Sequence, residues 1–442
     1  MYNVKEAVEK HAALIKTAQD YIWKNPETGY KEKKTCRYMA ERFEELGYEL
    51  TYAEGITGFY TVIDTGREGP TVLILGELDS LVCFEHPDAA PVTGAVHCCG
   101  HSAQSAALLG VAAALKEPDA LEGLSGKIML CAVPAEELIE IEYRQTLIDK
   151  GVIKYFGGKT EFLSRGYFDG VDIAFMLHTT GGKSFYINTG AVGCIAKKII
   201  YKGKSSHAGG APWDGCNALY AANLGISAIN SIRETFREPD IIRVHPIITK
   251  GGSVVNAIPD EVIMESYIRG SSFKAIVEAN TRVNRALCGA ALSIGANVDI
   301  QDSPGYAPYK NSEMLSALFE NAAKEQGYDF NMGTSMSSGS TDMGDLACVM
   351  PMIHGYAPGA VGTAHGKDYY IEDPDLACVA SAEVQIKLLR MLLCDGAKKA
   401  REVIESYEAP FASIKEYIEY LDSLKRSGDR ISYGDKSVEV SL

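Results

Sequence analysis

Two thiols, two imidazoles and a glycine stand together in His97-Cys98-Cys99-Gly100-His101, and the chain then runs straight into a small-residue stretch from Ser102 to Leu109. With Gly100 between them, Cys99 and His101 can turn two donors toward one ion, and thiolate with neutral imidazole suits zinc or a neighbouring transition metal. A buried cysteine and a satisfied core histidine at a helix start would leave the same residues, so the pair decides nothing alone. Further along, Glu136 and Glu137 follow Pro134, His178 follows an apolar run, and His365 lies in the loop Val361 to Lys367. Cys99, His101, Glu137, His178 and His365 are together enough for two divalent ions, provided a thiolate, a carboxylate or a water bridges them. Such a pair would bring the pKa of a bound water toward neutrality and polarise a carbonyl. Glu136 would take the proton and return it to a leaving nitrogen, which makes the reaction class amide hydrolysis. With Cys99 and Glu137 ionised, two dications leave the site net positive and attractive to a substrate carboxylate. Adjacent acids are commonly a solvated pair; the apolar run and Pro134 before Glu136-Glu137 favour a site. His86 and His354 read as structural or surface histidines.

The elements that must position these groups follow from the apolar pattern. Thr71 to Leu75 is a continuous apolar run between the turn signal Glu68-Gly69-Pro70 and Gly76, and reads as a buried strand with Glu77 and Asp79 just beyond it. Ala103 to Lys116 reads as a helix. Lys127 to Val133 is a second strand that delivers Glu136 and Glu137, and Val171 to Leu177 a third that delivers His178. That order predicts an open α/β sheet with ligands gathered outside the carboxyl ends of its strands. Ahead of it, Val4 to Gly47 reads as two amphipathic helices interrupted at Asn25 to Gly29. Residues 188–304 change character to an α+β pattern, an antiparallel sheet with helices on one face. Beyond lie a helix from Lys310 to Gly327, a glycine- and serine-rich loop from Gly333 to Gly344, a helix from Pro374 to Cys394 and an amphipathic helix from Ser413 to Leu424. The domain reading is thus 1–187 with 305–442 as the catalytic part and 188–304 as an insertion.

Composition bounds the partners. A chain of 442 residues exceeds what one core usually accommodates. Lys+Arg 43 against Asp+Glu 58 gives a net charge of -15, which argues against nucleic acid as a partner. No run is long and apolar enough to span a bilayer, and the start has no basic region followed by an apolar one, so the expectation is a soluble, unsecreted, cytoplasmic protein. Cysteines that are scattered and odd in number, 11 in all, read as reduced thiols.

Taken in order, His97-Cys-Cys-Gly-His101, Pro134-Ala-Glu-Glu137, Leu177-His178, Ser206-His207-Ala208, Asn256-Ala-Ile-Pro-Asp260 and His365 resemble the M20 metallopeptidase family, amidohydrolase subfamily D. Gly76-Glu-Leu-Asp-Ser80, Ala211-Pro-Trp-Asp-Gly215 and Ser340-Thr-Asp-Met-Gly-Asp345 are similar to the B-type branch of its p-aminobenzoyl-glutamate hydrolases. The resemblance implies a zinc-peptidase-like catalytic domain carrying an inserted, ferredoxin-like lid through which two copies form a homodimer. It places Cys99, His101, Glu137, His178 and His365 on the ligand positions of two divalent ions, zinc or manganese, and Glu136 on the general base. His207 falls where an imidazole is presented to the substrate carbonyl, often across a dimer. Asn256 and Arg269 fall where the substrate carboxylate is bound, although a strand-end salt bridge is as ordinary a role for Arg269. The implied activity is cleavage of an N-acyl or N-aroyl amino acid. A dipeptidase or aminopeptidase of the same fold, or a weakly active partner in a hetero-oligomeric hydrolase, are the alternatives. Three features depart from the pattern. Ser102 replaces an acid or amide beside His101, and Gln104 replaces a further histidine. The segment Leu138 to Asp169 is long and aromatic, with Tyr143, Tyr155, Phe156 and Phe162, and is expected to roof the cleft and set acyl preference.

Overall fold

The computed structural model describes residues 2–442 and divides into two units. The first comprises everything up to Gly190, with Lys310–Ser337 and Thr341–Ile414; the second comprises Ala191–Tyr309, Ser338–Ser340 and Lys415–Leu442.

The first unit is built on a mixed sheet whose strands lie in the order Thr51–Tyr52, Phe59–Asp64, Lys127–Val133, Thr71–Glu77, Ile173–Gly181, Met352–Val361, Phe185–Ile187 and Phe330–Met332. From Lys127–Val133 to Met352–Val361 the neighbours are parallel. Parallel strands are covered on both faces, which is why these segments are near-continuous apolar runs. Every residue of the helix His101–Ala114 is buried. Its small residues answer that crowding. A Cβ on Gly110 would come within 2.7 Å of Ile15, and one on Gly76 of the neighbouring strand within 3.1 Å of Leu108.

Several local features differ from the pattern-based expectation. The N-terminal region holds three helices, Val4–Glu9, Ala12–Trp23 and Lys33–Glu45. The break after Glu9 is tethered from outside, since Lys10 Nζ and His11 Nε2 lie 3.0 and 2.9 Å from the two carboxylate oxygens of Glu117. The strand expected to stop at Leu177 continues to Gly181, so His178 lies inside it, opposite Tyr356. The long strand Met352–Val361 supplies the extra partners that prolong it. Helix Ser381–Ser406 follows a π-helical segment, Asp375–Ala380, and is kinked where Asp395, Gly396 and Ala397 adopt positive φ.

The second unit is antiparallel. Its strands run in the order Arg243–Val244, Glu261–Gly270, Gly193–Lys202, Asn297–Pro304, with Ile247–Lys250 also along Glu261–Gly270. Glu261–Gly270 alternates between buried and half-buried positions, as a sheet with one covered face must, and the helices Ala218–Ile232 and Phe273–Ser293 complete the core on that face. The chain from Lys415 onward joins this unit, whereas the sequence pattern assigns all of 305–442 to the first. The reason is a pairing that no local pattern encodes. Arg426 and Asp302 exchange backbone hydrogen bonds of 3.0 and 2.8 Å, Arg430 N donates to Val298 O at 2.9 Å, and Ile431 is buried in the core. The tail thereby covers the Asn297–Pro304 edge. No helix is long and apolar enough to cross a membrane, and all eleven cysteines are free.

Candidate metal centre

Four turns in the first unit carry the chemistry. Beyond Val133, Pro134 ends the strand and Ala135 takes a left-handed conformation (φ 57°), which turns the chain so that Glu136 and Glu137 sit at the strand's carboxyl end. The turn is held by two buried acids. Ala135 N donates to Glu32 Oε1 and Glu137 N to Asp79 Oδ2, each at 2.8 Å. Gly100 has φ 98°, and a Cβ there would meet Tyr369 Oη at 2.4 Å; only glycine lets Cys99 and His101 flank so tight a corner. His101 opens its helix with Nδ1 2.9 Å from Asp79 O and 3.2 Å from Asp79 Oδ1, which aims Nε2 the other way. His178 Nδ1 lies 2.9 Å from Thr179 O, and its Nε2 is 3.3 Å from Cys99 Sγ. His365, also left-handed (φ 64°), donates its backbone N–H to Cys98 O and brings Nε2 to 3.4 Å from Glu137 Oε1.

The donor atoms converge in three overlapping groups. Those of Cys99, His101 and His178 lie within 4.8 Å of one another, as do those of Cys99, Glu137 and His365, and those of Glu77, His101 and Glu136. Cys99 belongs to the first two and occupies the place of a bridge. All five ligand candidates are therefore brought together with Glu136, whose carboxylate is 3.8 Å from His101 Nε2. The sequence places Glu77 at its strand end and gives it no role. It is fully buried, with Oε2 3.2 Å from His101 Nε2 and Oε1 2.5 Å from the ammonium of Lys159, which also reaches Asp342. The strand-end position is the available signal for Glu77; Lys159 and Asp342 carry none.

The electrostatics favour a cation. Burial first, then the charges of Glu77 and Glu137, hold the Glu136 carboxyl well above its ordinary range, and burial with Glu137 does the same to the Cys99 thiol. Burial opposes charge on Glu77 too, but Lys159 and the histidines outweigh it and keep that carboxyl ionised. Burial brings His178 down to about 4, so its imidazole is neutral. His101 is pulled the other way: burial is outweighed by Glu77, Cys99 and Asp79. Buried atoms His101 Nε2, Glu77 Oε2 and Glu137 Oε1 make no hydrogen bond. Orphaned donors of N, S and O type, crowded with carboxylates, fit a divalent ion of borderline softness.

Other expectations resolve around this cluster. His354 is buried against His178, with ring centroids 5.6 Å apart, and burial brings it to about 3, so it is packing and not surface. His86 is structural, its Nε2 2.9 Å from Tyr369 O. Asp79 already stands at His101 Nδ1, so ring orientation does not require an acid at Ser102. The aromatic roof is absent from this segment. Tyr155, Phe156 and Phe162 are at most 2% exposed and lie in the unit's interior around the helices Ile141–Asp149 and Gly158–Ser164; only Tyr143 is partly exposed.

His207, Asn256 and Arg269 belong to the second unit. His207 Nδ1 accepts from Gly210 N at 2.8 Å and Gly209 N at 3.2 Å, which fixes a neutral tautomer with the proton on Nε2. Asn256 is its neighbour, since Ala208 N donates to Asn256 O and His207 bridges to Ala257. Arg269 is not with them. It pairs in register with Cys194, whereas Lys202, at the other end of the same strand, leads toward His207. Eight residues of strand, about 26 Å, separate the two ends. Arg269 donates to Ser338 O at 3.4 Å, a carbonyl and not the acid of a salt bridge.

Comparisons with known proteins agree with this geometry. The chain is 31% identical over 365 residues to an Xaa-Arg dipeptidase of Mus musculus, covering 80% of this chain and 77% of that one. It is 29% identical over 320 residues to an N-acetyl-L-cysteine deacetylase of Bacillus subtilis (69% and 70% covered), and 26% over 318 to one of the chains of p-aminobenzoyl-glutamate hydrolase of Escherichia coli (67% of each). Among solved structures, a putative aminohydrolase from methicillin-resistant Staphylococcus aureus superposes with a TM-score of 0.71 at 22% identity, over 89% of this chain and 100% of that one. A dinuclear metal binding peptidase from Bacillus subtilis superposes with a TM-score of 0.65 at 21%, over 87% and 99%. The sequence pattern of peptidase family M20/M25/M40 matches residues 73–389. The chain thus belongs to peptidase family M20/M25/M40, and is a metal-dependent hydrolase of the peptidase and amidohydrolase kind.

Proposed function

We propose that this enzyme is a dinuclear amidohydrolase that cleaves the amide of an N-acyl or N-aroyl amino acid, an aminobenzoyl-glutamate-like substrate. The single observation behind the reading is the position of Cys99, shared between two three-donor groups with Glu136 alongside. Cys99, His101 and His178 would hold one ion and Cys99, Glu137 and His365 the other, as zinc or manganese. When bound, the ions supply Lewis acidity toward a carbonyl oxygen and acidify water. Glu136 takes the proton from the attacking water and carries it to the departing nitrogen. His207 donates Nε2–H to the oxygen that gains charge, a role for which its tautomer is already set. Arg269 and Asn256 bind the substrate carboxylate. Because Arg269 and the His207–Asn256 pair sit at opposite ends of one sheet, two copies of the chain satisfy these roles better than one. The reading is therefore a cytoplasmic homodimer formed through the 188–304 insertion acting as lid, with 1–187 and 305–414 as the catalytic part. The exposed edge strand Ile247–Lys250 suits such pairing.

A dipeptidase is the second reading, favoured by the likeness to the mouse Xaa-Arg dipeptidase. Both substrate classes end in a carboxylate; they differ in whether a free ammonium stands beside the scissile carbonyl. Metal analysis followed by a screen of acyl-amino acids, aroyl-glutamates and dipeptides separates them. Two ions per chain and turnover of N-acylated substrates by the purified chain are expected. Faster turnover of free-amine dipeptides would install the second reading. Metal-loaded protein inactive on every class until a related chain is added would make it one partner of a hetero-oligomer.

A further inference from the structure

The sequence of the segment 138–169 predicts that it faces substrate, yet its two cationic side chains that are most deeply buried point inward. Arg144, on the helix Ile141–Asp149, is 1% exposed. Its guanidinium donates to Phe156 O at 2.8 Å, to Ala135 O at 3.4 Å and to Glu137 O. These carbonyls belong to the left-handed turn that carries Glu136 and Glu137 and to the far side of the segment itself. Ala135 O also accepts from Gly158 N at 3.2 Å, so the segment grips the turn from two directions. Tyr30 completes the pocket, its ring centroid 5.6 Å from the guanidinium carbon. A strained φ persists only where the surroundings over-determine it, and here the surroundings are supplied by residue 144.

We propose that Arg144 is a positioning residue for the second metal: it fixes the Ala135–Glu137 turn so that the Glu137 carboxylate meets Cys99 and His365, and the 138–169 segment is a brace for the metal centre. This rests on the dinuclear reading above. It also singles out one ion, because Glu137 belongs to the group with Cys99 and His365 and not to the group with His101 and His178. Lysine is no substitute. A point-like ammonium cannot span separate carbonyls as a planar fork does.

The test is a titration of metal-free full-length protein with Co(II), followed by visible absorption and by the metal-induced rise in melting temperature, for wild type, Arg144→Lys and Arg144→Met. Wild type is expected to take two equivalents. Both variants are expected to keep the first, with its thiolate-to-metal absorption from Cys99, and to bind the second 10- to 100-fold more weakly, the range found when an outer partner of a ligand is removed. A purely structural role would lower the melting temperature of the metal-free protein and leave both affinities alone; that result, or an altered substrate ranking at unchanged affinity, overturns the proposal. If Arg144→Met does not fold, Arg144→Lys alone decides. If wild type itself binds no Co(II), the dinuclear reading fails instead, so the two failures are told apart.

Discussion

At the scale of single residues, the adjacent acids of the Glu136-Glu137 pair are set apart by what each faces. Glu137 has its backbone N–H on Asp79 and its carboxylate beside His365, a ligand's surroundings. Glu136 is buried beside His101 and lies in no group with Cys99. Replacing Glu136 by Gln keeps volume and removes the proton acceptor. We expect kcat to fall by about 10²- to 10⁴-fold, the usual worth of general acid–base catalysis, while metal content stays at the wild-type value. Cys99→Ala is expected to lose metal and turnover together, because its thiol serves both groups. Metal analysis beside steady-state kinetics checks both, and loss of metal in Glu136→Gln would reassign that residue as a ligand. The cluster was legible in the sequence because donors of unusual type stood just past apolar runs. Glu77 was visible only as a position, and Lys159 and Asp342 were not visible at all, since a lysine 82 residues beyond Glu77 carries no mark of the carboxylates it neutralises.

At the scale of elements, the parallel core was legible for a physical reason: strands covered on both faces have to be apolar throughout, and Lys127–Val133 is bounded by residues that cannot continue it. What failed was the aromatic segment. Aromatic side chains bury large areas, so they mark interior as readily as a binding wall, and the sequence does not say which. The structure puts helix Gly158–Ser164 directly on the Pro134 turn. A Cβ at Gly158 would lie 1.7 Å from Pro134 O and 2.7 Å from its carbonyl carbon, atoms of the main chain that cannot swing aside. Gly158→Ala therefore has to lift the helix from the turn. A loss of about 3 kcal/mol or more is expected, at or beyond the upper end of overpacking costs, read from the urea midpoint of metal-free protein. A midpoint within error of wild type would mean that this contact is easily relaxed and that the helix does not seat the turn.

At the scale of the molecule, the two-part organisation could be read from the change in strand pattern at residue 188, but the return of the C-terminal tail to the second unit could not. Residues 426–430 lie more than 120 positions beyond the strand they pair with, and their own composition is that of any polar end. The pairing nonetheless has a job that the sheet requires. Without it, Asn297–Pro304 would present a row of unpaired backbone groups along a second open edge in addition to Ile247–Lys250, and open edges recruit other chains. The tail closes one side by backbone hydrogen bonds and anchors itself with Ile431, 3% exposed in the core of that unit. Ending the chain at Lys425 should therefore free the edge without touching the metal-ligating residues. Sedimentation velocity is expected to show species larger than the wild-type oligomer, increasing with protein concentration, while metal content per chain is unchanged. A truncated protein that sediments as wild type does would show that the edge is protected by its own Asp299 and Asp302 carboxylates, and that the tail's part is confined to packing.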